Sequence, residues 1–418
     1  MNFIEELRWR GMLHDMTPGT EEYVQSNKVI GYIGFDPTAP SMTIGNYVQL
    51  MILTFFQKAG HSPIVLMGGA TGRIGDPSFK ATERELKTYD ELDRNLAFQI
   101  EQVKKFLHFD GPNAAKIVNN HDFYNKMNVL DFLRDVGKTL TVNYMMSKDS
   151  VKNRLETGLS FTEFSYQLLQ AYDFQLLYEH HNCFLQMGGS DQWGNITSGT
   201  EFIRRNSEGK AYAVTTPLLT KSDGTKFGKS EQGNIWLDPN LTSPYKFYQF
   251  WINADDGDVS KYLRYFSLKS HEEIEQLEAL LPSDPRGVKA VLAEEITERV
   301  HSKDACESAK QVSTLLFSRD ADHNFILSLS ETSLEMIAEE IPTFAYLPQE
   351  DMIKAGEVLS VMFSSNKEMR TAIQSNAVSI NKVKIQSHEH ELSSHDLLHG
   401  KYLLVENGKK NKVLFVKR

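Results

Sequence analysis

The stretch GFDPTAPSMTIGN, from Gly34 to Asn46, stands between an apolar segment at 29–33 and a helix-like segment at 47–57. A strand, a turn rich in Gly, Pro and Thr, and a helix start form a geometry that can hold phosphates. The first N–H groups of a helix have no partner inside the helix and carry partial positive charge. The stretch therefore indicates nucleotide binding, with an ordinary strand-to-helix turn as the alternative.

Apolar runs alternate with helix-like segments through the first half of the chain. They cover residues 29–33, 63–67, 116–118, 183–187 and 213–219. This alternation is typical of a parallel sheet in an α/β fold. The section at 128–179 is too long for one crossover, so we predict a helical insertion whose apolar side chains pack on the sheet or on a partner. These side chains are Phe132, Leu133, Leu140, Val142, Tyr144 and Met145.

Two more glycine-rich turns follow strand-like runs, GGATGRIGDP at 68–77 and GGSDQWGNI at 188–196. Ligands of open α/β sheets bind at the carboxyl ends of strands, so these turns predict one shared crevice. Asp76 either binds an ammonium group there or caps the next helix, and spacing alone favours the cap. Lys80 and Arg84 lie one helical turn apart, which fits phosphate contacts or solvated charge.

Two further stretches carry polar groups that could act on a ligand. In FTEFSYQLLQAYDF, at 161–174, the residues Tyr166, Gln170 and Asp173 share one helical stripe among apolar neighbours. They form either a structural polar network or a site for a polar ligand, because unpaired buried polar groups are costly. The loop KSDGTKFGKS, at 221–230, holds Lys226 and Lys229 beside glycines, where they could close on a polyphosphate.

Composition limits the class of protein. The 418 residues are 40% hydrophobic and 24% charged, which fits two or three globular domains, and no segment reaches the roughly 18 apolar residues of a membrane span. The start of the chain does not resemble a secretory signal, and Cys183 and Cys306 fit packing thiols of a reducing cytoplasm. Four histidines at 388–399 lack metal-ligand spacing, so we predict no metal site.

The net charge of −10 is unevenly distributed. Residues 363–418 hold ten Lys and Arg against five Asp and Glu, a local charge of +5 on an otherwise acidic chain. A basic end of this kind indicates a polyanionic partner, with a solvated charged face as the alternative.

Taken together, these motifs resemble those of bacterial-type tyrosyl-tRNA synthetases, which are class I aminoacyl-tRNA synthetases, over essentially the whole chain. The stretch 34–46 is similar to the HIGH signature of the family and KFGKS to its KMSKS loop, while the other motifs are similar to those of the tyrosyl branch. Residues 364–385 resemble a small RNA-binding domain shared with a ribosomal small-subunit protein. One position departs from the pattern, because Thr43 stands where the family usually has a histidine.

The resemblance implies an α/β fold in several domains. Residues 1–220 would form a Rossmann-like catalytic domain with a helical dimerisation insertion at about 119–180, followed by a KMSKS-type loop and connector at 221–245. A helical anticodon-binding domain would cover 246–320, a linker 321–349 and a small α/β RNA-binding domain 350–418. Its basic residues Lys367, Arg370, Lys382 and Lys384 and the run 409–412 would meet RNA phosphates.

The implied reaction joins L-tyrosine to ATP as tyrosyl-adenylate, releases pyrophosphate, and passes the tyrosyl group to the 3′-terminal ribose of tRNA(Tyr). The tyrosine site would comprise Tyr32, Asp76, Tyr166, Gln170, Asp173 and Gln192, with Tyr32 and Asp173 on the phenolic hydroxyl. The ATP site would comprise Gly34, Asp36, Pro37, Gly45, Gly189, Asp191, Lys229 and Ser230. The catalytic groups around the phosphates would be Thr38, Thr43, Asn46, Lys80, Arg84, Lys226 and Lys229.

The same resemblance implies Mg²⁺ bound with ATP, no permanent cofactor, a homodimer, and a cytoplasmic location without a membrane. Two alternatives stay open. A tryptophanyl-type enzyme shares the fold, although the Tyr32 and Asp173 pair and the terminal RNA module oppose it. A synthetase-derived RNA-binding protein without ligase activity is the other alternative, and Thr43 in the signature keeps it open.

Overall fold

The computed structural model describes residues 2–78, 85–155, 158–230, 233–318, 321–346, 352–408 and 411–417. Lys80 and Arg84 lie outside these ranges, and so do the side chains of Lys229 and Ser230. The chain divides into two compact units. One comprises residues 1–242 and 254–292, and the other comprises residues 243–253 and 293–418.

The secondary structure alternates strands with helices in the first half and is largely helical from 244 to 340. The α-helices are α1 (Phe3–Trp9), α2 (Thr20–Ser26), α3 (Ile44–Lys58), α4 (Tyr89–Val103), α5 (His121–Tyr124), α6 (Val129–Asp131), α7 (Val142–Met146), α8 (Asp149–Leu155), α9 (Phe161–His181), α10 (Trp193–Ser207), α11 (Pro244–Ile252), α12 (Asp256–Phe266), α13 (His271–Leu280), α14 (Pro285–Val300), α15 (Lys303–Phe317), α16 (His323–Leu327), α17 (Glu331–Glu340), α18 (Ala355–Leu359) and α19 (Asn366–Gln374). The strands are β1 (Asp15–Met16), β2 (Ile30–Phe35), β3 (Ser62–Met67), β4 (Lys116–Asn119), β5 (Cys183–Gly189), β6 (Tyr212–Thr216), β7 (Lys229–Ser230), β8 (Gly233–Asn234), β9 (Thr343–Tyr346), β10 (Met352–Lys354), β11 (Val378–Ile380), β12 (Val383–Lys384), β13 (Glu391–Ser393), β14 (Tyr402–Asn407) and β15 (Asn411–Lys417).

The first unit is built on a six-stranded sheet in the order β1-β6-β5-β2-β3-β4. Strands β2 to β6 are parallel, and only the short β1 runs antiparallel to β6. The five apolar runs of the sequence correspond to β2 through β6, which confirms the predicted parallel sheet. Strand β2 lies between β3 and β5, so the order along the chain reverses there and opens a crevice at the carboxyl ends.

Alternation along β2 directs neighbouring residues to opposite faces of the sheet. A methyl group at Gly31 would lie 3.0 Å from the ring of Phe56 in α3, so this position faces α3. The next residue, Tyr32, packs on the other face with its ring centroid 5.3 Å from that of Phe174 in α9. Helices α3 and α9 therefore cover opposite faces, and both reach the crevice at the end of β2.

The insertion between β4 and β5 has a core of its own. Leu140 and Met145 are buried there with Leu168 of α9 and Phe202 of α10, and Phe132 and Tyr144 pack partly against them. Leu133 and Val142 stay exposed. The apolar residues of the insertion thus fall into a buried set and an exposed set.

The second unit contains a five-stranded sheet in the order β12-β11-β14-β15-β9, with β9 parallel to β15. Strand β9 and helices α16 and α17 lie in the stretch 321–349 that the sequence assigned to a linker. Strand β9 cannot be recognised from its four residues alone, because its pairing depends on β15 about seventy residues later. Within the described residues, no helix is long and apolar enough to cross a membrane.

Candidate active site

A cavity of about 330 Å³ lies in the crevice at the carboxyl ends of β2 and β5. Thirteen of the residues proposed from the sequence line it, and they come from the strand ends, the start of α3 and the inner face of α9. They are Tyr32, Gly34, Asp36, Thr38, Gly45, Asn46, Asp76, Tyr166, Gln170, Asp173, Gly189, Asp191 and Gln192. The three glycine-rich turns therefore share one site.

Asp173 is buried at the inner end of this cavity. Its Oδ2 accepts a hydrogen bond from Asn120 Nδ2 at 2.9 Å, and its Oδ1 accepts one from the Tyr124 hydroxyl at 2.6 Å. Burial raises the pKa of Asp173 to about 7, while these two bonds act to lower it. Tyr32 lies close enough for the Asp173 charge to add to the effect of burial in raising the pKa of its phenol.

Asp36, just after β2, is held by two hydroxyl groups. Thr71 donates to Asp36 Oδ1 at 2.6 Å, and Tyr166 donates to Asp36 Oδ2 at 2.8 Å. Asn120 also donates to Thr71 Oγ1 at 3.0 Å. One chain of hydrogen bonds therefore connects Asp173 to Asp36 across the cavity.

Asp76 lies at the mouth of the cavity. Its Oδ2 accepts from Gln192 Nε2 at 2.8 Å, and its Oδ1 accepts from the backbone N–H of Ser78 at 2.9 Å. Asn195 donates to Gln192 Oε1 at 3.2 Å and so fixes the amide of that residue. Burial raises the pKa of the neighbouring Asp191, Asp76 raises it further, and Lys226 opposes this rise.

Thr43 and Asn46 form a capping box at the start of α3. The Thr43 backbone N–H and hydroxyl both donate to Asn46 Oδ1, at 2.9 and 2.8 Å, and the Asn46 N–H donates to Thr43 Oγ1 at 3.4 Å. Asn46 lines the cavity, whereas Thr43 does not. The proton of the Thr43 hydroxyl is thus directed to Asn46, which leaves the Asn46 amide hydrogens as donors.

The loop at 221–228 is attached to the same end of α3. Gly228 has φ +81°, and a methyl group there would lie 2.5 Å from Ile44 Cγ2 and 3.5 Å from the nitrogen of Gly45. The Phe227 ring stacks against Phe266 of α12 with centroids 5.4 Å apart. The predicted KMSKS-type loop therefore lies next to the helix start that it is proposed to assist.

Four polar side-chain atoms of the cavity have no hydrogen-bond partner within the described part of the chain. They are Tyr32 Oη, Gln49 Oε1, Gln170 Oε1 and Gln186 Oε1, and all are buried. Leaving such an atom unpaired costs about 1–3 kcal/mol. Their convergence on one cavity indicates a polar ligand, while Tyr166 and Asp173 of the α9 stripe also take part in the hydrogen bonds described above.

Several residues of the site were not identified from the sequence. Asn120 directly follows β4 at its carboxyl end and Thr71 lies within GGATGRIGDP, so both had a positional signal. Gln186 is a polar residue inside the apolar strand β5, which was a weaker signal. Tyr124 and Gln49 had no signal in the sequence, because their hydrogen-bond partners lie on other elements. Pro37 does not line the cavity and instead packs near Gly72.

Changing Asn46 to aspartate tests the assignment at the helix start. The variant keeps the acceptor oxygens of the capping box but replaces amide donors with negative charge facing the phosphates. We expect pyrophosphate exchange to fall about 100-fold in kcat/KM for ATP. Asn125→Asp, an equal charge change at an exposed site, is the control. Equal rates of pyrophosphate exchange in both variants would contradict a contact between Asn46 and the phosphates.

Comparisons with known proteins agree with this geometry. The profile described as "tRNA synthetases class I (W and Y)" matches residues 25–318, and that of the "Tyrosine--tRNA ligase SYY-like C-terminal domain" matches residues 333–415. The chain is 54% identical over 421 residues to a tyrosine–tRNA ligase of Cytophaga hutchinsonii, covering 98% of each chain. It is 52% identical over 429 residues to that of Parabacteroides distasonis, covering 100% of each.

A solved structure shows the same relationship. The chain superposes on a C-terminally truncated mitochondrial tyrosyl-tRNA synthetase of Aspergillus nidulans with a TM-score of 0.68 and 32% identity, covering 76% of this chain and 94% of that one. Neither the tryptophanyl alternative nor an RNA-binding protein without ligase activity finds support in these relatives. The chain therefore belongs to the tyrosine–tRNA ligases, the class I aminoacyl-tRNA synthetases that use ATP to attach tyrosine to tRNA.

Proposed function

We propose that the cavity described above binds tyrosine with its phenol at Asp173 and Tyr32 and its ammonium group near Asp76, Tyr166 and Gln170. The unpartnered buried hydroxyl of Tyr32, beside a buried carboxylate, supports this orientation most directly. A phenolic hydroxyl can accept from Tyr32 and donate to Asp173 at once, whereas a phenyl ring would leave the Tyr32 hydroxyl without a partner and would give Asp173 no donor. Gln192, held by Asp76 and Asn195, would face the tyrosine carboxylate.

ATP would occupy the remaining half of the crevice. Gly34, Gly45 and Gly189 have no side chains to obstruct a nucleotide, and Asp36 and Asp191 offer carboxylates to its ribose. The start of α3, where the Gly45 N–H and the Asn46 side-chain amide lie, would receive the phosphates together with Thr38. Mg²⁺ would enter with ATP, bound mainly by phosphate oxygens, and would supply charge neutralisation there. The contacts with ATP and its phosphates stay predictions for Lys80, Arg84, Lys229 and Ser230.

The reaction needs no nucleophilic side chain, because the carboxylate of tyrosine is already a nucleophile. It attacks the α-phosphate of ATP, the bond to pyrophosphate breaks, and tyrosyl-adenylate forms. The protein contributes alignment of the two substrates and stabilisation of the charge that develops on the phosphate. Lys226 and the amides at the α3 start would supply the positive potential.

Tyrosine-dependent exchange of pyrophosphate into ATP tests this assignment. We expect exchange with tyrosine and none with phenylalanine or tryptophan at the same concentration. Exchange that is equal with tyrosine and phenylalanine would contradict the placement of the phenol at Asp173 and Tyr32.

The exposed apolar residues of the insertion support a homodimer formed through this part of the chain. They are Val129, Leu130, Leu133, Val142, Met146 and Phe161, and the exposed fraction reaches 74% at Phe161. Apolar surface of this kind is typical of protein interfaces. We expect Leu130→Lys to shift the sedimenting species from dimer to monomer, while Leu280→Lys, at another exposed leucine on α13, leaves it unchanged. A wild-type chain that sediments as a monomer at micromolar concentration would contradict the proposal.

The terminal module is proposed to hold tRNA through part of its basic surface. Lys367, Arg370 and Lys384 are exposed. Lys382 and Lys412 instead share the carboxylate of Glu406 at 2.9 and 3.0 Å, which neutralises part of their charge inside the module. The proposed phosphate contacts of the module are therefore Lys367, Arg370 and Lys384. Lys409 and Lys410 lie outside the described part of the chain.

Deleting residues 342–418 tests that role. The cut lies before β9, because β9 would lose its partner β15 if it were retained. We expect the truncated enzyme to keep tyrosine-dependent exchange and to charge tRNA poorly, with a KM for tRNA that rises less steeply with salt than that of the full chain, because it has lost phosphate contacts. If the truncated enzyme charges tRNA at the wild-type rate at physiological salt, the proposed role of the module in tRNA binding is contradicted.

A cytoplasmic location is proposed for the enzyme. Cys183 and Cys306 are both free and buried, which fits a reducing compartment.

A further inference from the structure

We propose that Tyr124 is a positioning residue for the selection of tyrosine, because its hydroxyl holds Asp173 in the orientation and ionised state that accept the proton of the substrate phenol. This inference rests on the proposed placement of the phenol at Asp173. Tyr124 closes α5 at the carboxyl end of β4 and does not line the cavity. It would therefore act on the substrate only through Asp173.

The direction of the bond between Tyr124 and Asp173 follows from counting donors. The Tyr124 hydroxyl has one proton and lies 2.6 Å from Asp173 Oδ1 and 3.0 Å from the carbonyl oxygen of Leu169. That carbonyl lies inside α9 and accepts the helical N–H four residues later, so it already has a partner. The shorter contact, to the carboxylate, is the one that needs the proton.

The other partner of Asp173 cannot replace Tyr124. Asn120 Nδ2 has two hydrogens, and they go to Asp173 Oδ2 and Thr71 Oγ1. Asn120 Oδ1 accepts from the backbone N–H of Ala70 at 2.7 Å. Asn120 is thus fully engaged and fixes only one oxygen of the carboxylate. Without the Tyr124 hydroxyl, Oδ1 would have no donor from the described residues.

The charge of Asp173 depends on the same bond. The ionisable groups that face it are Tyr32 and Asp36 from β2 and its end, Tyr124 from α5, and Tyr166 from α9. Asp36 and burial favour the neutral acid, whereas the hydroxyl of Tyr124 favours the carboxylate and so lowers the pKa of Asp173. Removing that hydroxyl raises the pKa, so the acid stays neutral up to a higher pH and cannot accept the phenolic proton as a carboxylate does.

Tyr124→Phe is the test, because it removes only the hydroxyl and keeps the ring that packs near Phe132 and Tyr172. We expect the KM for tyrosine in pyrophosphate exchange to rise about tenfold at neutral pH, with the KM for ATP unchanged. The preference for tyrosine over phenylalanine should fall by a similar factor. Between about pH 6 and pH 9, the inflection in KM for tyrosine should move to higher pH.

The control is Tyr172→Phe, the same change at a half-buried tyrosine on α9 whose hydroxyl makes no hydrogen bond to Asp173 or Tyr124 within the described residues. Unchanged KM, preference and pH inflection in Tyr124→Phe, whatever its thermal stability, would overturn the inference. Asp173→Asn separates the role of Tyr124 from the proposed placement of the phenol. If it loses tyrosine selection while Tyr124→Phe keeps it, only the role of Tyr124 fails. If both variants keep it, the proposed placement of the phenol fails.

Discussion

Gly228→Ala is expected to reduce tyrosine-dependent pyrophosphate exchange by about 100-fold or more. The new methyl group would lie 2.5 Å from Ile44 Cγ2, closer than carbon atoms can pack, so the loop must move away from the start of α3. Lys226 and Lys229 would move with it, away from the proposed phosphate site. Single-turnover formation of tyrosyl-adenylate should show the loss in the rate constant, with the Kd for tyrosine unchanged.

Gly224→Ala provides a matched control in the same loop. Both glycines have φ +81°, so each substitution carries a similar backbone strain of about 1–2 kcal/mol. A methyl group at Gly224 would meet no atom within 4 Å, whereas one at Gly228 would meet Ile44. The difference between the variants therefore isolates the contact with α3. Equal exchange rates would show that the docking of the loop does not matter for catalysis.

Gly68→Ala is expected to have the second large effect, through the hydrogen bonds that join the two halves of the site. The methyl group would overlap Asp36 Oδ1 and come within 2.6 Å of Thr71 Oγ1, so the bond between these residues would break. Asp36 would then also turn from Tyr166. We expect kcat/KM for ATP to fall about 100-fold and stability to fall by about 1–3 kcal/mol.

The control for Gly68→Ala separates lost activity from lost stability. Gly111 has φ +88° with no atom within 4 Å of an added methyl group, so Gly111→Ala should lose stability through backbone strain alone. Exchange measured well below the Tm of both variants should be normal for Gly111→Ala and low for Gly68→Ala. Normal exchange in Gly68→Ala would mean that the link from Asp36 to Thr71 is dispensable.

Much of the site could be predicted because its signals are local. Each strand of the parallel sheet is an apolar run, and each of the three turns carries its glycines directly after a strand. The 3.6-residue period of α9 places Tyr166, Gln170 and Asp173 on one stripe, whichever element lies opposite. The resemblance then supplied roles that residue types alone left open, such as the choice between ammonium binding and capping for Asp76.

Thr43 carries two local signals. Its place in the family signature puts it among the groups around the phosphates, which stays a prediction. The structure also shows its hydroxyl bonded to Asn46 three residues later, which is the ordinary behaviour of Thr at a helix start. The sequence contained both residues at the spacing of a capping box.

The sequence by itself determined the five parallel strands β2 to β6, where the glycine-rich turns fall and which residues share the inner face of α9. These features depend on backbone torsions and on interactions over a few residues. Only the tertiary structure decided that Asn120 and Tyr124 bind Asp173 from 53 and 49 residues away, and that β9 joins the terminal sheet. Such contacts depend on strand order and register. These bring together side chains whose separation along the chain follows neither the helix period nor the strand period.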